Sequence, residues 1–116
     1  MNGKIEMGKT GELEDGVMKQ VVADGREILL ARVGDSFYAV DNRCPHMGGA
    51  LSQGKLEGTV VTCPRHGSQF DLRDGQVVRW LKGSGLISTL GKAFKSPRAI
   101  VTYKVEVIGD RILIDV

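Results

Sequence analysis

The sequence is poor in cysteine, histidine, proline and long hydrophobic runs. It has only two cysteines and three prolines, and its longest apolar runs extend over about four residues. Two cysteines are too few for a disulfide scaffold, and a membrane-spanning helix would need about 20 apolar residues. The first residues also lack the apolar segment of a secretory signal, so we expect a cytoplasmic location, where thiols stay reduced. Metal binding is therefore favoured over a disulfide for the two cysteines.

The size and the charge balance indicate one ordinary globular domain over residues 1–116. Hydrophobic residues make up 41% of the chain, charged residues 26%, and the net charge is only +2. Since basic and acidic residues are interspersed along most of the chain, no nucleic-acid partner is expected. The exception is the stretch 79–98, which contains five basic residues and no acidic one.

The hydrophobic pattern predicts an all-β fold with a short helical insertion. Apolar runs at 17–23, 26–33 and 37–40 are separated by Asp-Gly and Gly-Asp turns, and strand character returns at 55–62, 70–72 and 76–78. Period-two alternation over 101–107 and an apolar run over 111–116 predict two final strands. Before these two strands, apolar residues at helical spacing predict a helix over about 84–96. Residues 42–54 and 63–71 are predicted to form two long loops.

The two loops hold every cysteine and every histidine of the chain. Cys44-Pro45-His46 lies in the first, and Cys63-Pro64-Arg65-His66 lies in the second. Two thiols and two imidazoles delivered as matched pairs predict one metal site with four ligands, Cys44, His46, Cys63 and His66. Strands on either side of each loop would hold those ligands in place.

The ligand set is compatible with structural zinc or with a 2Fe-2S cluster. Common zinc sites pair Cys with Cys and His with His in separate knuckles, whereas each loop here offers one of each. This arrangement favours a cluster with both cysteines on one iron and both histidines on the other. Two ferric ions, two sulfides, two thiolates and two neutral imidazoles sum to zero charge, so reduction is easier than for a cluster held by four cysteines.

The residues around the ligands suit a cluster. Prolines after each cysteine fix φ, glycines permit turns that aim amides at sulfur, and one serine could donate a hydroxyl to a bridging sulfide. These residues are Pro45, Gly48, Pro64, Gly67 and Ser68. Each taken alone is an ordinary turn residue.

The double motif closely resembles the Rieske-type ferredoxins. The resemblance is carried by Cys44 to Leu51 and by Cys63 to Asp71, with Gly54, Gly58 and Gly75 at matching places. It implies a fold of three antiparallel sheets, with one 2Fe-2S cluster at the tip of a small subdomain that the two loops form. It also implies that His46 and His66 present their outer ring nitrogens to solvent.

The chain departs from the Rieske proteins of cytochrome complexes at three positions. In those proteins a disulfide joins the two loops, and the matching positions are Gly49 and Arg65. A tyrosine that bonds a ligand sulfur is replaced by Phe70, whereas Ser68 is kept. We therefore predict a reduction potential in the lower half of the roughly -150 to +300 mV range of Rieske centres.

Three functions remain open at this point. The first is a soluble one-electron carrier, not itself an enzyme, between a reductase and an oxygenase or other terminal oxidoreductase, docking near His46 and His66. The second is a Rieske subunit of a larger oxidoreductase, for which the stretch 79–98 would supply a docking face for an acidic partner or simply cover the domain's own core. The third is a zinc-stabilised adaptor without a redox role.

Overall fold

Antiparallel β-sheets dominate the computed structural model, which describes residues 4–44, 49–65, 67–79 and 99–115. Within these ranges the strands are β1 (Lys4–Lys9), β2 (Met18–Ala23), β3 (Arg26–Val33), β4 (Ser36–Asp41), β5 (Lys55–Glu57), β6 (Val60–Thr62), β7 (Gln69–Asp71), β8 (Val77–Arg79), β9 (Thr102–Tyr103), β10 (Val105–Ile108) and β11 (Arg111–Asp115). Two short 3-10 helices cover Thr10–Glu12 and Leu51–Gln53. The helix predicted near 84–96 falls outside the described residues.

The strands form three sheets. Sheet I has the order β1-β11-β10, sheet II has the order β2-β3-β4-β9, and sheet III has the order β5-β6-β7-β8. All pairings are antiparallel. The prediction of an all-β fold with three antiparallel sheets is therefore confirmed, and sheet III is the small subdomain that carries the two loops.

Sheet II lies between the other two sheets, and its inner strand β3 contributes side chains to the cores on both of its faces. Residues 28–31 of β3 are all fully buried. Ile28 and Leu30 pack in one core and Leu29 and Ala31 in the other, as the alternation of side chains along a strand requires. The core between sheets I and II, here the base core, contains Met7, Leu13, Ala23, Ile28, Leu30, Ala39, Ile112 and Ile114.

The core between sheets II and III, here the loop-side core, contains both cysteines. Its members are Leu29, Ala31, Val40, Cys44, Leu51, Val61, Cys63, Phe70, Leu72 and Ile100. Sheet III therefore packs onto sheet II through the same cluster of side chains that includes the predicted thiol ligands.

Two segments that the sequence pattern predicts as single strands each form two strands in the structure. The stretch 55–62 is a hairpin, with Gly58 at φ 59° between β5 and β6. The alternating stretch 101–107 is divided at Lys104, since β9 pairs with β4 in sheet II whereas β10 pairs with β11 in sheet I. A strand that changes sheets keeps its period of two, so the pattern alone does not reveal the break.

The described residues include no helix with the length and hydrophobicity that crossing a bilayer requires.

Candidate metal centre

The two predicted thiol ligands lie at the ends of strands that face each other across the loop-side core. Cys44 follows β4 of sheet II, and Cys63 directly follows β6 of sheet III. Both cysteines are buried, with only 1% and 2% of their surface exposed. The fold thus brings together two thiols that are separate in sequence. The other two predicted ligands, His46 and His66, fall outside the described residues, as do Pro45 and Gly48.

Both cysteines close their loops with the same backbone hydrogen bond. The Cys44 amide donates to the Gly49 carbonyl at 2.8 Å, and the Cys63 amide donates to the Ser68 carbonyl at 2.7 Å. In each case the acceptor lies five residues after the donor. The second loop is shorter than the predicted range 63–71, because β7 already begins at Gln69; it is therefore taken as 63–68 below. The two loops are thus built alike around their cysteines.

Gly49 lies where the two loops come close together. A Cβ atom placed on Gly49 would lie 2.8 Å from both Cγ and Cδ of Arg65 and 3.1 Å from Cys63 Sγ. The Arg65 side chain therefore packs its apolar stem directly on the Gly49 backbone, in the space that a larger residue would fill. The resemblance matches these two positions to those that a disulfide joins in the cytochrome-complex proteins. Here an arginine stem on a glycine makes the contact between loops.

Asn42 holds the first loop at both ends, a role that the sequence did not reveal. Its backbone amide donates to the Glu27 carbonyl of β3 at 3.0 Å. Its own carbonyl accepts from the Leu51 amide at 2.7 Å, and its side-chain Oδ1 accepts from the Ser52 amide at 2.8 Å. Asn42 is only 1% exposed. The start of the first loop is thereby fastened to the 3-10 helix at its end and to sheet II.

Ser68 and Phe70 are both fully buried beside the second loop. Phe70 belongs to the loop-side core, and its ring offers no hydroxyl group, as the sequence indicated. Of the residues predicted to surround the ligands, Pro64, Gly67 and Ser68 are described, and Gly67 has a φ of 76° that favours glycine.

Two carboxylates near the loops have defined partners. The Arg73 guanidinium binds the Asp71 carboxylate, with Nη2 2.7 Å from Oδ2, and holds the pKa of Asp71 at about 2, below its ordinary value of 3.8. The Tyr103 hydroxyl donates to Asp41 Oδ1 at 2.5 Å, while burial raises the pKa of that tyrosine. Asp71 ends β7 and Asp41 ends β4, so these contacts support the strands on which the loops stand.

The described residues fit an iron-sulfur cluster. Two buried thiols that form no disulfide are ligands suited to iron-sulfur chemistry. Both cysteines belong to the loop-side core, which lies at the ends of the two loops that contain the predicted histidine ligands. When bound, such a cluster supplies one-electron redox chemistry.

Comparison with known proteins identifies the family. Residues 3–88 match the model of the Rieske [2Fe-2S] domain. The chain is 32% identical over 106 residues to the ferredoxin component of the naphthalene 1,2-dioxygenase system of Pseudomonas aeruginosa, a match that spans 90% of this chain and 86% of the relative.

Solved structures agree with this assignment. The ferredoxin of carbazole 1,9a-dioxygenase from Nocardioides aromaticivorans IC177 superposes with a TM-score of 0.80 at 26% identity, over 96% of this chain and 95% of the other. A chain in the complex of reduced oxygenase and oxidised ferredoxin of carbazole 1,9a-dioxygenase gives a TM-score of 0.77 at 25% identity, over 96% and 91%. These matches confirm the predicted resemblance, the predicted fold and the role of an electron carrier, which is not itself a catalytic enzyme. The chain belongs to the Rieske [2Fe-2S] domain family.

Proposed function

We propose that the chain binds one 2Fe-2S cluster, through Cys44 and Cys63 on one iron and His46 and His66 on the other. The observation that carries this proposal is the pair of buried cysteines in the loop-side core, each at the start of a loop closed by the same hydrogen bond. The histidines follow from the spacing of the two motifs. The Ser68 hydroxyl, buried at the end of the second loop, is proposed to donate to the cluster.

In this proposal the chain is a single domain that works in the cytoplasm as a one-electron carrier. It accepts an electron from a reductase and passes it to a terminal oxygenase or another oxidoreductase. Support comes from the relatives, since one is a ferredoxin component of a dioxygenase system and one solved neighbour is an oxygenase–ferredoxin complex. In this proposal Cys44 and Cys63 would hold the cluster from the buried core, and the partner would dock near His46 and His66.

The face proposed to meet the partners carries positive charge. Arg43 precedes Cys44 and Arg65 follows Pro64, and both arginine side chains are exposed. Opposite charges on a partner would steer its approach to this face. An acidic surface on the reductase or on the terminal acceptor is therefore part of the proposal.

The ligand assignment is tested by electron paramagnetic resonance of the reduced protein, combined with iron and sulfide analysis. Mixed Cys/His ligation gives a lower average g than four-cysteine ligation, and we expect the mixed signal. Replacing His66→Cys adds a negative charge to the cluster and lowers the potential, whereas Ser36→Cys, at an exposed position of β4, leaves it unchanged. A colourless protein that contains zinc would end the electron-transfer proposal.

The partner assignment is tested by rapid mixing of the reduced chain with the oxygenase component of a dioxygenase system. We expect electron transfer whose rate falls as salt is added, because salt screens charges that are exposed. The Arg65→Gln variant should slow transfer, while Arg111→Gln in sheet I should not. Transfer rates that are independent of salt and of Arg65 would exclude the charged docking face.

A further inference from the structure

The Arg79 side chain, on strand β8, hydrogen-bonds to the second loop. Its guanidinium donates two hydrogen bonds to the Gly67 carbonyl, from Nε at 3.1 Å and from Nη2 at 2.9 Å. Arg79 is the last residue of β8, and in the register of sheet III it pairs with Gln69, where the second loop ends and β7 begins. The side chain therefore reaches back from the strand to the loop.

Gly67 is held through both its backbone amide and its backbone carbonyl. Its amide donates to the Cys63 carbonyl at 3.1 Å, and the Cys63 amide in turn donates to the Ser68 carbonyl at 2.7 Å. These two bonds close the loop on itself. Through the Arg79 side chain, the Gly67 carbonyl is tied to β8 of sheet III. Both arginine bonds are partly buried, where charge-assisted hydrogen bonds are strong.

We propose that Arg79 is a positioning residue for the cluster loop and that it also sets part of the reduction potential. This inference rests on the proposed function. The planar fork of arginine lets two donors converge on one carbonyl, which the point charge of lysine cannot reproduce. A fixed cation bonded to the residue between His66 and Ser68 favours the reduced cluster, which carries one more negative charge.

From the sequence, Arg79 is the first residue of the basic stretch 79–98, which was expected either to dock an acidic partner or to cover the domain's own core. Because both of its described hydrogen bonds go to the protein's own second loop, the structure assigns it to the metal centre. The contacts of Arg79 are therefore made within its own domain.

Two substitutions separate the effect of the two converging guanidinium donors, here the fork, from the effect of the positive charge. Arg79→Lys keeps the positive charge and loses the fork, whereas Arg79→Gln loses both. Arg111→Gln is the matched control, because Arg111 pairs with Glu6 in sheet I, on the other side of the molecule from sheet III. All three variants are prepared as the full chain with the cluster bound.

The first measurement is hydrogen–deuterium exchange, followed by mass spectrometry, of the peptide that covers residues 62–69. We expect exchange to accelerate about tenfold or more in Arg79→Gln and in Arg79→Lys, because the loss of hydrogen bonds to a charged group raises the population of the open loop by at least that factor. Exchange in Arg111→Gln should match that of the wild type. Unchanged exchange in Arg79→Lys, the milder variant, would overturn the positioning role even if Arg79→Gln failed to fold.

The second measurement is the reduction potential. We expect a lower potential in Arg79→Gln and a potential close to that of the wild type in Arg79→Lys, which a purely structural role would not produce. Equal potentials in the two variants would overturn the electrostatic part of the proposal. If the wild-type chain bound no iron and sulfide, the proposed function would fail. The exchange experiment on the same chain would still decide whether Arg79 holds the loop.

Discussion

A disulfide between positions 49 and 65 tests the geometry of the two loops most directly. The structure places a Cβ on Gly49 2.8 Å from Arg65 Cγ. The Cβ of Arg65 is one bond farther, so the two Cβ atoms lie within about 4.3 Å, inside the usual range for a disulfide. Gly49 does not have a positive φ, so a side chain is compatible with its backbone. We therefore expect the double variant Gly49→Cys, Arg65→Cys to form a disulfide on mild oxidation.

The expected gain in stability follows from the length of chain that the disulfide would close. The chain-entropy relation gives about 3 kcal/mol for a loop of roughly 15 residues, close to the separation of these two positions. The close approach of the new Cβ to Cys63 Sγ, at 3.1 Å, reduces that gain. A net gain of about 2 kcal/mol would raise the melting temperature by roughly 10 °C for a domain of this size.

The assay compares thermal unfolding of the cluster-loaded double variant with and without a reductant. Thiol titration counts the free cysteines, and electron paramagnetic resonance checks that the added sulfurs do not replace the native ligands. The single variant Gly49→Cys is the control, because it keeps the new Cβ and lacks the partner thiol. If both added thiols stay reactive after oxidation, or if the reductant does not change the melting temperature, the inferred contact between the loops is wrong.

Two further predictions concern the strands that support the loops. Since the pKa of Asp71 is lowered to about 2 by Arg73, the pair stabilises the fold above about pH 4 and loses that effect as the pH falls towards 2. In urea unfolding, Asp71→Asn should be less stable than the wild type by about 1 kcal/mol near neutral pH, after allowance for the exposure of the arginine, and equal to it near pH 2; a constant difference would exclude the ion pair as the cause. A Cβ on Gly54 would lie 1.8 Å from the Thr62 carbonyl oxygen, so Gly54→Ala should cost about 3 kcal/mol or more. Gly11→Ala, where no atom lies within 4 Å, should change stability by less than about 0.5 kcal/mol, and similar melting of the two variants would contradict this packing.

Local structure was predictable where short-range chemistry decides it. The dipeptide Asp24-Gly25 predicted a hairpin turn, and both residues have a positive φ, of 52° and 72°, between β2 and β3. The apolar run in β3 predicted a strand. Its burial on both faces follows from the position of sheet II between two other sheets, which a single run does not encode.

Long-range pairing was not predictable from the pattern. β1 pairs with β11, near opposite ends of the chain, with Lys4 opposite Asp115. The chain switches from sheet II to sheet I at Lys104 within one alternating stretch. In both cases the side-chain period of two is satisfied by several possible partners, so only the complete set of sheets selects the observed one.

The candidate metal centre also combines residues marked by their local sequence with residues whose role depends on distant segments. Cys44 and Cys63 stand out in the sequence as predicted ligands, because few residue types bind metals and the spacing of the two motifs is distinctive. Asn42 and Arg79 do not, because their roles depend on backbone carbonyls and amides that distant segments supply. An asparagine before a loop and an arginine at the end of a strand are common on protein surfaces, and nothing in their local sequence marks them as supports.

The burial of the cysteines connects the metal centre to folding. Cys44 and Cys63 are members of the loop-side core, in which Leu29 and Val40 come from sheet II and Phe70 comes from sheet III. The contacts that pack sheet III on sheet II are therefore the contacts that bring the two sulfurs together. Because ligand sites of this kind are assembled only in the folded chain, binding of the proposed cluster would add its free energy to that of docking sheet III. Asn42, Arg79 and the Arg65 stem hold the loops locally, while the shared core sets the distance between them.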